Sequence, residues 1–265
     1  MDHTRLNAEG ADMKTDCFIS GKIFKIMMVV LMFLPLVTQK PYDSRYTVNV
    51  IAEVLKNPYS VRIKVFLPAA KAALLAAAVS PLLFAKSEKI ILGYYAVILM
   101  VVSVFQNMSD TQYGFTFIPG NMIVQLIIAA IVLIDLHGRK SRIEKNDMDA
   151  RYLWVIPFMA LAFLMPYGVK EGIIVPSVRT VLINDAGVAY CMITPVILGT
   201  LMLFHKYVHR ETMHAIAFLG FSFGILNMMT WFGYQRQNWW MGICHLPLLI
   251  LSFSAMRMSK GKKAS

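Results

Sequence analysis

Four uncharged polar side chains interrupt long apolar stretches of this sequence, and they are the residues best placed to do chemistry inside a membrane. They are Asn107, Gln125, Asn227 and His245. A polar group at bilayer depth is costly unless it faces protein or water, so such groups are the default candidates for function. The four residues therefore form a candidate intramembrane polar site for a ligand or a proton. The alternative is that each makes a hydrogen bond that only holds two helices together.

Lys71 is the one basic residue set inside a long apolar run. It lies about two helical turns from the start of that run. A lysine in this position reaches water by laying its apolar stem along the helix, so we expect the Lys71 ammonium to snorkel to the lipid headgroups. A buried role as a catalytic group or counter-ion is the alternative.

The most metal-like string is the one that contains His205 and His209, which share one helical face at a spacing of four residues. Two such imidazoles are common zinc ligands. Glu211 or His214 would add a ligand from the turn, but Lys206 and Arg210 add repelling charge, so a solvated turn explains the string better than a metal does. The three cysteines are too scattered for a disulfide framework or a thiolate site. The sequence predicts no metal and no cofactor, and catalytic residues stay unassigned.

The elements that must position these residues are membrane helices. The chain is 57% hydrophobic and only 15% charged, with a mean hydropathy of +0.58. A soluble domain is about 25% charged. About 20 mainly apolar residues cross a bilayer as one helix. We therefore predict an all-α, polytopic integral membrane bundle with about eight transmembrane helices. The predicted spans are 23–37, 65–85, 90–108, 117–136, 152–167, 188–204, 214–232 and 239–256.

The basic residues predict the orientation of the bundle. With the N-terminus in the cytoplasm, 17 Lys and Arg residues fall on the inside, 8 fall outside, and Lys71 lies within a span. Because cytoplasmic loops carry the excess of Lys and Arg, both termini should be cytoplasmic, in a multi-pass protein of the cell membrane. If the first span failed to insert, there would be seven spans and an outside N-terminus. The net charge of +11 lies in short connections, which argues against a nucleic-acid partner.

The chain divides into a polar cytoplasmic segment, 1–21, and one transmembrane domain, 22–265. Residues 1–12 are an extension or an artefact if translation starts at Met13. A shift of 120 positions lays Asn107 on Asn227 and Gln125 on His245. This suggests a parallel duplication with halves 22–137 and 151–258, and a site between the halves. The Gly-x-x-x-Gly pair Gly220 and Gly224, and a stripe of small residues around Lys71, predict close helix packing. The stripe consists of Ala69, Ala72, Ala73, Ala76, Ala77 and Ser80.

No motif in the sequence specifies a reaction or a substrate. The preferred function is a small transporter, channel or carrier subunit that handles a small solute between the two halves. The first alternative is a membrane-embedded enzyme for a lipid-linked or hydrophobic substrate, with His245 as base and Asn227, Arg236 or Cys244 assisting. The second is a non-catalytic partner or sensor that docks another membrane protein. The lipid bilayer is the partner common to all three, and the oligomeric state stays open.

Overall fold

The computed structural model of this protein describes residues 18–19, 21–62, 64–170 and 173–260, without the side chain of Val169. Most of the predicted segment 1–21 therefore lies outside the described residues. The described part contains nine α-helices, which confirms the all-α fold class that the sequence predicts. They are α1 Lys22–Met32, α2 Thr47–Lys56, α3 Phe66–Leu83, α4 Glu88–Phe105, α5 Pro119–Gly138, α6 Val155–Leu164, α7 Tyr190–Leu203, α8 Arg210–Met228 and α9 Trp239–Lys260.

Five helical segments are long and apolar enough to cross a membrane. Three of them are α3, α4 and α5, and the other two are Arg210–Tyr234 and Arg236–Lys260, which extend α8 and α9 by short turns. These segments confirm a multi-pass membrane protein. The helices in the predicted spans 23–37, 152–167 and 188–204 are shorter, with 11, 10 and 14 residues. A helix of 10 residues rises only about 15 Å, half the thickness of the hydrocarbon core. The count of eight spans stays a prediction.

Local sequence explains why two of these helices end early. Pro35 follows the end of α1, and the residue before a proline avoids helical geometry. Helix α6 ends at Leu164 because Met165 takes a left-handed conformation, with φ at 41°, and Pro166 comes next. The chain then leaves the helical path within the predicted span.

Short strands gather at one end of the bundle. The strands β1 Val37–Thr38, β2 Met108–Thr111 and β3 Gly114–Phe117 form an antiparallel sheet in the order β1-β3-β2. A second hairpin pairs β4 Tyr167–Lys170 with β5 Ile173–Pro176. Helix α2 covers the first sheet by burying Val50 and Val54 with Leu36 and Ile118. We call the connections at this end, 33–65, 106–118, 165–189 and 229–238, the hairpin end.

The opposite end carries the basic connections 84–87, 139–154 and 204–209, and we call it the basic end. Its loops bind one another, since Ser87 N donates to Ile143 O at 3.1 Å and Arg142 N donates to Tyr207 O at 3.0 Å. Lys25 and Lys260, near the two ends of the described chain, lie close enough for their charges to interact. Both interact with His214, near the start of α8, so both ends of the described chain lie at the basic end.

The core lies between paired helices, α4 with α5, α6 with α7, and α8 with α9. A Cβ on Gly220 would collide with Ser252 Oγ, and one on Gly224 would lie 3.0 Å from Leu249 Cα. The Gly220 and Gly224 pair therefore allows the close approach of α8 and α9 that the sequence predicts. The alanine stripe of α3 behaves differently, because Ala77 is buried while Ala69, Ala72, Ala73 and Ala76 are exposed.

Candidate functional site

Lys71 is buried inside the protein, and the expectation that it snorkels to the headgroups is wrong. The residue is only 2% exposed. The ammonium donates to Asn184 Oδ1 at 2.7 Å, to Leu164 O at 3.4 Å and to Val181 O. The ring of Phe163 lies 5.0 Å from the nitrogen. Lys71 stays inside because the segment between α6 and α7 folds over it and supplies oxygen acceptors that lipid would not.

Asn184 joins this segment to the end of α6. Its amide nitrogen donates to Leu164 O at 3.0 Å and to Met165 O at 2.7 Å. Its side-chain oxygen accepts from Ala186 N at 3.2 Å as well as from Lys71. A helix end leaves its last carbonyl groups without helical partners, and here Asn184 and Lys71 satisfy them.

A glycine holds the segment against α3. The 3-10 turn Asp185–Val188 packs on this helix, and a Cβ on Gly187 would lie 2.5 Å from Lys71 N and 2.6 Å from Ala70 C. Backbone atoms cannot yield as a flexible side chain does. Only glycine lets the turn approach the helix so closely, which brings Asn184 and Asp185 to Lys71.

Asp185 and Tyr167 form the acidic side of the site. The Tyr167 hydroxyl donates to Asp185 Oδ1. Burial raises the pKa of the Asp185 carboxyl, while the bond from Tyr167, the carboxyl's own backbone contact and the charge of Lys71 lower it. The site thus places an ammonium, a carboxyl and a phenol within one small volume. We call Lys71, Tyr167, Asn184 and Asp185 the lysine cluster.

Asn227 lies beside the lysine cluster. Its amide donates to Cys191 Sγ at 3.1 Å, and Cys191 lies close enough to Asp185 for an electrostatic interaction. Asn227 is partly buried. Of the four residues predicted from sequence, Asn227 is linked to Lys71 through the fewest intervening residues, Cys191 and Asp185.

His245 approaches the same region through aromatic and sulfur-containing side chains. It is 6% exposed, its Nδ1 lies 2.8 Å from Met241 O, and its ring centre lies 5.7 Å from that of Trp231. Met241 and Trp231 belong to a small apolar cluster that also contains Tyr167. Trp231 Nε1 is buried and finds no hydrogen-bond partner among the described residues, so this cluster keeps one donor available.

Asn107 and Gln125 form a separate pair between α4 and α5. They are 1% and 3% exposed, and the Asn107 amide donates to Ser103 O at 3.0 Å and to Gln125 Oε1 at 3.5 Å. Asn107 Oδ1 is buried, and no residue in the described part of the chain donates a hydrogen bond to it. Among the hydrogen bonds of the described residues, none joins Gln125 to His245. The structure therefore separates the predicted four into an Asn107 and Gln125 pair and an Asn227 and His245 region.

The histidine string lies at the basic end. His205 Nδ1 is 3.2 Å from Met202 O, its Nε2 is 4.0 Å from an Asp149 oxygen, and His209 Nε2 is 3.3 Å from Glu211. Within the described ranges, no three His, Cys, Asp or Glu side chains come together as a metal site. Side-chain and backbone bonds from Arg151 lower the pKa of Asp149 to about 2. The loop is held by ordinary ion pairs and ring contacts.

Sequence reasoning missed Tyr167, Asn184 and Asp185. Their only signal is that the adjacent pair Asn184 and Asp185 stands among apolar residues, at a distance of more than a hundred positions from Lys71. A lone lysine inside an apolar span requires hydrogen-bond acceptors, but the sequence near Lys71 does not indicate which residues supply them. The contacts depend on how the segment between α6 and α7 folds.

Comparison with known proteins gives no assignment. No family model, no curated protein and no solved structure matches this chain. A function has to be argued from the residues that the fold brings together.

Proposed function

We propose that this protein is a small transporter-like or carrier-subunit membrane protein, and that it handles a small polar solute at the lysine cluster. The observation that carries the proposal is the burial of the Lys71 ammonium, 2% exposed, among oxygen acceptors in an otherwise apolar helix. A buried charge in a membrane span is expensive, and it is commonly found where a protein binds a substrate or an ion.

The backbone around the cluster supports the same proposal. Helices α6 and α7 are short and apolar, and the described residues between them contain no α-helix. Irregular backbone at membrane depth is tolerated where it is buried in protein or lines an aqueous cavity. Interrupted helices whose ends meet polar groups are a recurrent way to build solute sites in transporters. The predicted orientation puts this cluster on the outer side, where a solute would enter.

The residues predicted from sequence have places in this proposal. Asn227 and His245 flank the lysine cluster through Cys191, Trp231 and Met241. Asn107 and Gln125 lie at the neighbouring interface of α4 and α5, where they line the path of the solute or join the two helices. Gln106 Oε1 accepts from Tyr190 N at 2.9 Å, which ties this interface to the start of α7.

A non-catalytic partner protein is the second candidate. It is favoured by the pairing of polar side chains inside the bundle, such as Tyr95 with Thr194 at 3.1 Å. The enzyme alternative has less support. His245 interacts with a carbonyl of its own helix, and no described hydrogen bond of this residue reaches Asn227, Arg236 or Cys244.

The test is solute flux in proteoliposomes. The purified full chain would be reconstituted and challenged with amines, amino acids, carboxylates, sugars and alkali cations, with both electrical currents and isotope uptake recorded. We expect one class to be transported, and replacement of Asp185 by Asn to reduce that flux at least about tenfold. Lys64→Ala, which changes an exposed lysine, is the matched control and should keep the flux. Absence of flux for every class from well-folded protein would contradict the proposal.

A further inference from the structure

Three neutral oxygen atoms accept hydrogen bonds from the Lys71 ammonium. The direct partners of the ammonium are two backbone carbonyls, Leu164 O and Val181 O, and the side-chain oxygen of Asn184. All three are neutral acceptors, the type of oxygen ligand that also coordinates alkali-metal ions in membrane proteins. We call these three oxygens the oxygen cage.

The electrostatics of the cage also favour a cation. Leu164 is the last residue of α6, and the C-terminal end of a helix carries partial negative charge. Asp185 adds a carboxyl close enough to Lys71 for their charges to interact. The helix end and the carboxyl thus both favour a cation at the cage, and Lys71 supplies one.

The cage is built by bonds in which Lys71 takes no part. Asn184 is fixed by its own bonds to Leu164 O, Met165 O and Ala186 N. The turn that carries it is held against α3 by the close approach at Gly187. Asp185 is held by Tyr167. Removal of the ammonium should therefore leave the oxygens in place but without a cation.

We propose that the oxygen cage is a monovalent-cation site and that the Lys71 ammonium occupies it as a tethered cation, in place of a free Na⁺ or K⁺. The proposal deepens the proposed function and shares its site, because it names the ionic requirement of that site. The wild-type protein would need no particular alkali cation, whereas a protein without the ammonium would bind one.

Thermal unfolding of the purified full chain tests this without any transported solute. Wild type, Lys71→Ala and the exposed control Lys64→Ala would be melted at equal ionic strength in choline, sodium, potassium or methylammonium chloride. The wild type and Lys64→Ala should give the same Tm in all four salts. Lys71→Ala should melt lower in choline and recover with saturating dependence on Na⁺, K⁺ or methylammonium, by at least about 2–4 °C. The recovery should disappear when Asn184→Ala is added.

Each outcome decides the proposal. If Lys71→Ala melts identically in choline and in the other three salts, the cage is not a cation site. If Lys71→Ala cannot be extracted as folded protein in choline, the yield of folded protein in each salt is compared instead. Recovery in Na⁺, K⁺ or methylammonium then supports the proposal, and loss of the protein in all four salts overturns it. A cation effect of equal size on the wild type would show that the ions act elsewhere. Failure of the flux assay alone would leave this result unaffected.

Discussion

At the scale of single residues, one ammonium group sets the chemistry of the hairpin end. Lys71 is enclosed because Asn184, Leu164 and Val181 supply acceptors for it, and Asp185 supplies the nearby carboxyl. Removing one partner of a buried charge leaves the other uncompensated, which is strongly destabilising. The sequence singles out Lys71 as exceptional, but its acceptors lie far along the chain and leave no local pattern to predict them.

His245 gives a prediction at the same scale. Replacing His245 by Gln should leave the fold intact, with a loss of stability within about 1 kcal/mol, because an amide is able to reproduce the bond to Met241 O. Solute flux should fall sharply if His245 is part of the site beside Trp231. Melting curves and flux, measured on the same preparation across pH 5–8, separate the two effects. Full flux across that range would remove His245 from the site.

At the scale of elements, the site depends on interrupted helices. Helix α6 ends at Leu164, the chain turns through Met165, and the 3-10 turn Asp185–Val188 returns to α3 before α7 begins at Tyr190. Hydropathy predicts the long helices well because 18 or more apolar residues have few other solutions in lipid. It does not predict the strands at 108–117 and 167–176, since they lie inside or beside the same apolar runs.

The turn on α3 gives a prediction with an internal control. Gly187→Ala should destabilise the protein by about 1–3 kcal/mol, because the new methyl group meets backbone atoms of Lys71 and Ala70. Gly233→Ala introduces the same methyl group where no atom lies within 4 Å, so it should be nearly neutral. Chemical or thermal denaturation of the two variants checks this. Equal stability of both would mean that the turn does not pack on α3 as described.

At the scale of the whole molecule, the connections separate into two ends. The basic end contains the loops rich in Lys and Arg together with both ends of the described chain, and the hairpin end contains the strands. Charge counting anticipates this separation because it depends only on composition along the chain. The duplication remains a prediction. The segment after Asn107 is a β-hairpin, whereas the segment after Asn227 continues as the π-helical turn Met229–Tyr234.

The orientation of the two ends is directly measurable. Reporters fused after residues 112, 145, 175, 208, 236 and 262 should be active in the cytoplasm at 145, 208 and 262 and outside it at 112, 175 and 236, because we predict from the Lys and Arg excess that the basic end faces the cytoplasm. Fluorescent and alkaline-phosphatase reporters in a bacterial host give opposite readouts for the two sides. Phosphatase activity at 145 or 208 would reverse the orientation, and the lysine cluster would then face the cytoplasm.

The most direct test of the account is the accessibility of the Lys71 amine. The membrane-embedded full chain would be treated with a small membrane-permeant amine reagent before and after denaturation, and each lysine quantified by mass spectrometry. Lys64 is exposed and serves as the internal reference. Because Lys71 is 2% exposed and hydrogen-bonded, we expect it to resist labelling in the folded protein and to react fully after unfolding. Labelling of Lys71 at the rate of Lys64 in the folded protein would contradict its burial, and with it the lysine cluster and the oxygen cage.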